Sequence, residues 1–207
     1  MKKAYFITGT GTDVGKTFVT SCLLKSISRK KNKGAYWKWI QCGNDDVQWI
    51  KENLVNYNIE ILEPTLTLNT PCSPHLAAKI ESRDLIKEYA GNLPHFKSDY
   101  LFCEGAGGIM VPITDDLLLV DWIKTLKIPV IVVCDAGLGT INHTMLTIKT
   151  LKEKNIAIEG IIYNKFDKDN FIHQDNISTI EKLSNIKTLG TVALGLNEPV
   201  VIENLCL

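Results

Sequence analysis

Apolar residues along this chain follow two rhythms. Short, largely apolar runs alternate with longer stretches in which apolar positions recur at helical spacing. An unbroken run bounded by polar residues is the mark of a strand buried on both faces, while a 3.6-residue period marks an amphipathic helix. The runs predict strands over residues 4–8, 35–40, 100–103, 129–134, 158–163 and 188–192. The intervening stretches predict helices over 16–30, 45–52, 82–89, 117–126, 140–154 and 174–183. Residues 53–73 carry Thr, Asn, Pro and Leu without a clear period and read as irregular. Strand–helix alternation over the whole length predicts an α/β fold, a mostly parallel sheet with helices on both faces. Ligands in such folds collect beyond the carboxyl ends of the strands, so the chemistry is expected there.

Composition narrows the classes. A chain of 207 residues fits one domain spanning 1–207, and 45% apolar with 22% charged residues excludes a disordered chain. Twenty-three Lys and Arg balance 23 Asp and Glu, so no global field attracts a phosphate polymer, and nucleic acid is not the expected partner. The longest apolar runs, such as 129–134, fall far short of the ~20 residues of a membrane helix, so no membrane partner is expected. The N-terminal apolar stretch is too short for a signal peptide and runs into a glycine loop, which predicts a cytoplasmic protein. Six cysteines lie far apart with no C-x-x-C pair, and four histidines supply no pairing at zinc spacing. Cys103 and Cys134, inside apolar runs, read as small buried hydrophobes. The basic run Lys25, Arg29, Lys30, Lys31 and Lys33 reads as the dipole-complementing end of the first helix, with Gly34 as its cap.

The first strand leads into Gly9-Thr10-Gly11-Thr12-Asp13-Val14-Gly15-Lys16-Thr17 and then a helix. Glycines let the backbone curl so that successive N–H groups point inward, and the helix adds its positive end, which makes a cradle for polyphosphate. Lys16 can reach the β- and γ-phosphates, and the Thr17 hydroxyl can bind Mg²⁺. The usual G-x-x-x-x-G-K-[ST] pattern would put its first glycine at position 10, which is Thr10, flanked here by Gly9 and Gly11. Mg²⁺ also needs carboxylates. Glu104 ends the strand 100–103 ahead of Gly105-Ala106-Gly107-Gly108, and Asp46 follows the second strand, its neighbour Asp45 being a candidate N-cap.

The run Thr8-Gly9-Thr10-x-Thr12-x-Val14-Gly15-Lys16-Thr17 resembles the phosphate loop of the dethiobiotin synthetase family. Residues 38–43, Ser73-Pro74-His75, residues 104–108 and Gly139-Thr140-Ile141-Asn142-His143-Thr144-Met145-Leu146 agree with it in order and spacing. The resemblance runs from residue 4 to about 195 and implies a P-loop fold. It implies ATP-dependent carboxylation and ring closure of 7,8-diaminononanoate with CO₂, by way of a carbamate activated as a carbamic–phosphoric anhydride. By the same resemblance Lys38 and Lys16 are catalytic, and Thr17, Asp46 and Glu104 hold Mg²⁺. The nucleotide is expected against residues 12–18 (Thr12, Asp13, Val14, Gly15, Lys16, Thr17, Phe18), Asp46, Glu104, Gly105, Ala106, Gly107, Asn164, Lys165, Ala193, Leu194 and Gly195. The substrate is expected against Thr12 and Cys42. Its carboxylate is expected at a helix start formed by Leu138, Gly139, Thr140, Ile141 and Asn142 from the second subunit of a homodimer. A helix start is an anion site on physical grounds too.

Several positions depart from the family pattern. Trp39 stands where a proline usually follows the lysine, and Cys42 where serine is common. Trp37 and Trp39 are expected to pack around Lys38. The family asparagine that reads adenine is followed by aspartate, whereas here Lys165 follows Asn164. Asn164-Lys165-Phe166-Asp167 also resembles the N-K-x-D of GTPases, so GTP is the alternative to ATP. The segment after Asn197-Glu198-Pro199 is short for the family, which predicts an open base pocket. Two other functions fit a phosphate loop: a partner-regulated ATPase of the partition type, and a nucleotide switch. The first would carry an additional lysine in the loop, and residues 8–14 contain none. The second would hydrolyse nucleotide without a diamine.

Overall fold

The computed structural model describes residues 2–43, 45–88 and 91–193. Its strands are β1 (Lys3–Gly9), β2 (Gly34–Lys38), β3 (Ile40–Cys42), β4 (Ile59–Leu62), β5 (Leu66–Leu68), β6 (Tyr100–Gly108), β7 (Val130–Asp135), β8 (Ile158–Phe166) and β9 (Thr188–Ala193). Its helices are α1 (Lys16–Arg29), α2 (Asp46–Asn53), α3 (Pro74–Ile80), α4 (Leu85–Glu88), α5 (Leu119–Leu126), α6 (Thr140–Glu153) and α7 (Phe171–Ser184). Seven strands form one sheet in the order β4-β2-β6-β1-β7-β8-β9, every neighbouring pair parallel.

Side chains alternate across this sheet, and the two faces divide the core. Tyr5, Ile7, Tyr36, Phe102, Ile131 and Val133 pack with Val19, Leu23 and Ile27 of α1 and with Ile50 of α2. Phe6, Trp37, Leu101, Cys103, Val130 and Val132 belong to the opposite face, with Trp122 and Ile123 of α5, Leu151 of α6 and Ile180 of α7. Fully burying one such side chain contributes about 1.5–3 kcal/mol, so the doubly covered sheet is the main source of stability. Because β1 lies between β6 and β7, its carboxyl end opens beside those of both neighbours.

The structure corrects the expected elements in several places. The strand expected over 35–40 is two strands, since β2 stops at Lys38 and β3 pairs with β5 in a separate parallel sheet. The hinge is Trp39. Its N–H donates to the Glu104 carbonyl at 2.8 Å, its own carbonyl accepts from Leu66 N–H at 3.1 Å, and its ring meets Phe6 edge-on and packs on Trp122. Bulky apolar residues stand on both sides of Lys38, so the hydrophobic pattern does not mark the switch. A proline here would lack the N–H that Glu104 accepts.

Residues 53–73 hold β4 and β5 rather than irregular chain. Every β4 residue is half-buried at the sheet edge, so the contrast that would mark it in the sequence is missing. The short α3, which begins at Pro74, also lay unmarked. Of the helix expected over 82–89, the described residues are helical only over α4, and Tyr89 lies outside the described residues. α7 begins earlier than expected, at Phe171, where the Asn170 side chain accepts from Ile172 N–H. Gly34 does not cap α1: Lys30 is the C-cap, Lys31 takes the left-handed conformation, and Gly34 opens β2. A Cβ at Gly34 would lie 2.7 Å from Leu24 Cδ2, so the residue is small because α1 crosses directly over it.

Candidate active site

The phosphate loop joins β1 to α1 as expected. Gly15 is the N-cap of α1 at φ 88°, a left-handed conformation that costs a side-chain-bearing residue about 1–2 kcal/mol. A Cβ there would also lie 2.1 Å from Asn164 Nδ2, so only glycine fits. Lys16 folds back over the loop, its Nζ donating to the Gly11 carbonyl at 3.3 Å. Burial is the largest influence on this ammonium and pulls it below its ordinary 10.5, against the opposing effect of Glu104.

Parallel register aligns the rest. Lys38 of β2 sits opposite Glu104 of β6, and residues opposite one another in a parallel ladder share a face. That face is the one α1 covers, so both side chains turn toward Thr17. Lys38 Nζ donates to Glu104 Oε1 at 2.9 Å and to Asp46 Oδ2. Glu104 is fully buried; it accepts from Thr17 Oγ1 at 2.8 Å and from Tyr36 OH at 3.1 Å. Burial works to lower the Lys38 ammonium, but the charges and hydrogen bonds of Glu104 and Asp46 outweigh it and hold the lysine above its ordinary value. Tyr36 is pushed well up, by burial first and the adjacent Glu104 charge second, so its phenol stays a donor. Asp45 is the N-cap of α2, its carboxylate accepting from Gln48 N–H, which leaves Asp46 to face Lys38.

These groups open into a cleft of about 700 Å³. It brings together Thr12, Asp13, Gly15, Lys16, Thr17 and Phe18 with Lys38, Cys42 and Asp46, and with Glu104, Gly105, Ala106 and Gly107. Val14 does not line it, but its carbonyl accepts from Asn164 Nδ2 at 2.9 Å, which anchors β8 to the loop. Lys165, at φ 54°, pairs with Asp135 at 3.0 Å, and Ala193 is exposed at the end of β9. Leu194 and Gly195 lie outside the described residues. Leu138, Gly139, Thr140, Ile141 and Asn142 form the start of α6 after β7, and none of them lines the cleft of their own chain.

Trp37 and Trp39 are buried as bulky flanks should be, but they do not enclose the Lys38 ammonium. Both point into the core of the opposite face, as alternation along a strand requires. Cys42 lines the cleft with Cys72, and burial, the leading cause, pushes its thiol up to about 11. Sequence reasoning missed Tyr36, although its place two residues before Lys38 on one strand was a readable signal. Also missed were Trp49 and the lining residues Pro71, Cys72, Ser73 and Pro74. The last two belong to a segment whose resemblance was visible but whose position was not.

Thr17, Asp46 and Glu104 offer one hydroxyl and two carboxylates, the hard oxygen donors that suit Mg²⁺. The Lys38 ammonium between the two carboxylates stands in as the cation in this structure. Among the described residues no group of three or more His, Cys, Asp or Glu is arranged to hold a metal. Mg²⁺ does not need one, since it keeps several waters and phosphate oxygens and takes only one or two carboxylates. The donor set therefore fits the ion.

A parallel sheet with a glycine-rich turn feeding the N-terminus of α1, and a lysine and threonine at its head, defines a P-loop nucleotide-binding domain. In agreement, the sequence profile described as an AAA domain matches residues 3–194. The ATP-dependent dethiobiotin synthetase of Anoxybacillus flavithermus is 39% identical over 202 residues, covering 92% of this chain and 91% of the relative. Those of Brachyspira hyodysenteriae and Methanocaldococcus jannaschii are 38% and 36% identical, covering 95% and 90% of this chain and 94% and 92% of the relatives. The chain belongs to the dethiobiotin synthetase family, whose members are ligases. No helix among the described residues is long and apolar enough to cross a membrane.

Proposed function

We propose that this chain catalyses ATP-dependent carboxylation and ring closure of 7,8-diaminononanoate, a step of biotin synthesis. The observation that carries the reading is the convergence of Lys38, Glu104, Asp46 and Thr17 on one cleft with the phosphate loop. One substrate amine attacks CO₂ and loses a proton, giving a carbamate. A carbamate oxygen attacks the γ-phosphorus as the bond to the β-phosphate oxygen breaks. The second amine then attacks the carbamate carbon, and inorganic phosphate leaves as the ureido ring closes.

The middle step brings a carboxylate-like oxygen against a polyphosphate, so cations must offset the charge. Lys16 meets the triphosphate from the loop, and α1 adds its positive N-terminal end. Lys38, kept protonated by two carboxylates, faces the carbamate and the transferred phosphoryl group from the opposite wall. Thr17, Asp46 and Glu104 would hold Mg²⁺, which supplies further positive charge for the phosphates. Cys42 lies on the wall toward the amines, where a neutral thiol packs rather than reacts. The start of α6, outside its own chain's cleft, serves as the carboxylate site for the cleft of a second copy, which makes the working unit a homodimer.

Phosphate release from Mg²⁺-ATP and bicarbonate tests the reading, measured with and without 7,8-diaminononanoate and repeated with GTP. Release that requires both diamine and bicarbonate is the expected result. Release indifferent to the diamine would sink it, and faster release with GTP would assign the base preference to guanine.

A further inference from the structure

We propose that Asn176 is a positioning residue for the carboxylate site at the start of α6; the proposal rests on the reading of that helix start given above. Asn176 lies on α7, is not among the residues that line the cleft, and is only 6% exposed. Its Nδ2 donates to two successive carbonyls of the loop before α6, Ala136 at 2.9 Å and Gly137 at 3.1 Å. A carbonyl oxygen carries the wrong partial charge to stand beside a carboxylate. Tying both to one amide draws them toward α7 and fixes the loop, so that the following N–H groups lead the helix.

Those N–H groups are uncommitted. No backbone acceptor among the described residues takes the N–H of Leu138, Gly139, Ile141 or Asn142. The loop is held from its other side as well. Gly137 N–H donates to Asp135 Oδ1 at 2.8 Å, and the second oxygen of Asp135 pairs with Lys165 at 3.0 Å. Gly137 is thus fixed at both its polar groups, and Lys165 offsets an aspartate that would otherwise repel an incoming anion. Ala136 is fully buried, so without the Asn176 amide its carbonyl would lose this partner away from water and the loop would turn to recover one.

The test compares 7,8-diaminononanoate with 2,3-diaminooctane, the same diamine without its carboxylate, in the full-length protein. Wild type is expected to favour the acid by roughly 100-fold in kcat/KM, the worth of two charge-assisted hydrogen bonds. Asn176→Ala is expected to raise KM for the acid about tenfold while kcat, KM for ATP and kcat/KM for 2,3-diaminooctane stay within about twofold. Asn176→Asp keeps the size but turns a carboxylate on the two carbonyls. It is expected to lose more at pH 8 and to recover relative to wild type toward pH 6, as the acid becomes able to donate. If the alanine variant does not fold, the aspartate variant carries the test alone. Unchanged discrimination in either folded variant, or equal losses with both diamines, overturns the role of Asn176. A wild type that does not discriminate overturns the helix-start reading itself, and this proposal with it.

Discussion

Removing Lys38 should damage the fold as well as the reaction. Its side chain is almost wholly buried, and it is the cation hydrogen-bonded to Glu104, which is fully buried. In Lys38→Met the apolar stem is replaced by one of similar length, so little packing is lost. Glu104 keeps Thr17 at 2.8 Å and Tyr36 at 3.1 Å but loses its bonded positive charge. Breaking a buried pair from one side costs about 3–5 kcal/mol. The lower end applies, because the Asp46 side chain is 32% exposed and water takes over there. A chain of this size loses about 2–4 °C in Tm per kcal/mol, so a drop of about 6–12 °C is expected. Adding Glu104→Gln removes the orphaned charge: its amide oxygen takes the place of Oε1 and accepts from Thr17, while its Nε2 takes the place of Oε2 and donates to the Tyr36 hydroxyl oxygen. The double variant should regain most of the lost stability and none of the activity. Urea unfolding of the four proteins in this cycle, with turnover measured alongside, decides the matter. A single variant within about 1 kcal/mol of wild type, or a double variant no more stable than the single, would refute the reasoning.

Other outcomes follow from the same geometry. Gly15→Ala should weaken ATP binding more than tenfold, and Asn164→Ala, which removes one hydrogen bond to the Val14 carbonyl, about 2–10-fold. Titration calorimetry should show the combined variant binding better than Gly15→Ala alone, because the amide that collides with the new methyl is gone. Lys16 must be protonated to meet the triphosphate, and burial lowers its pKa, so kcat/KM for ATP should fall on the alkaline side below pH 10.5. A flat profile to that pH would contradict the assignment. Cys42, its thiol held up at about 11 by burial, should be alkylated slowly at pH 7.5 and about tenfold faster per pH unit up to pH 10. Peptide mass spectrometry reads this rate, and a plateau near pH 9 would be incompatible with the buried thiol. Lys38→Ala, inactive, and Asn142→Glu, whose carboxylate opposes that of the substrate at the helix start and leaves about a hundredth of the activity at limiting diamine, should regain about a quarter of wild-type activity when refolded as mixed dimers, if the site is shared between subunits. Mixtures that stay inactive would return the carboxylate site to the chain that makes it.

How much of this was legible before folding differs from residue to residue. Lys16, Thr17 and Gly15 could be assigned because a phosphate loop is a local device: one turn and one helix start, all within nine residues. The strands of the sheet interior announced themselves because both faces are buried, and burial selects unbroken apolar runs. β4 was silent, being a half-buried edge strand whose pairing with β2 no local pattern encodes. Trp39 looked like strand and proved to be the hinge between two sheets, because its N–H partner, Glu104, lies on another strand.

By itself the sequence determined an α/β chain with a polyphosphate cradle after its first strand, together with the residue types that could serve it. Tertiary structure alone decided which of those residues meet. The register of β2 on β6 brings Lys38 to Glu104, and the capping of α2 by Asp45 turns Asp46 rather than its neighbour onto the lysine. The amide of Asn164 holds the phosphate loop through the Val14 carbonyl, and that of Asn176 holds the loop before α6. Each of these is a contact between residues far apart in the chain, or a choice between neighbours made by a helix end. Local periodicity carries burial, whereas charge pairing and hydrogen bonding depend on where the folded backbone sets both partners.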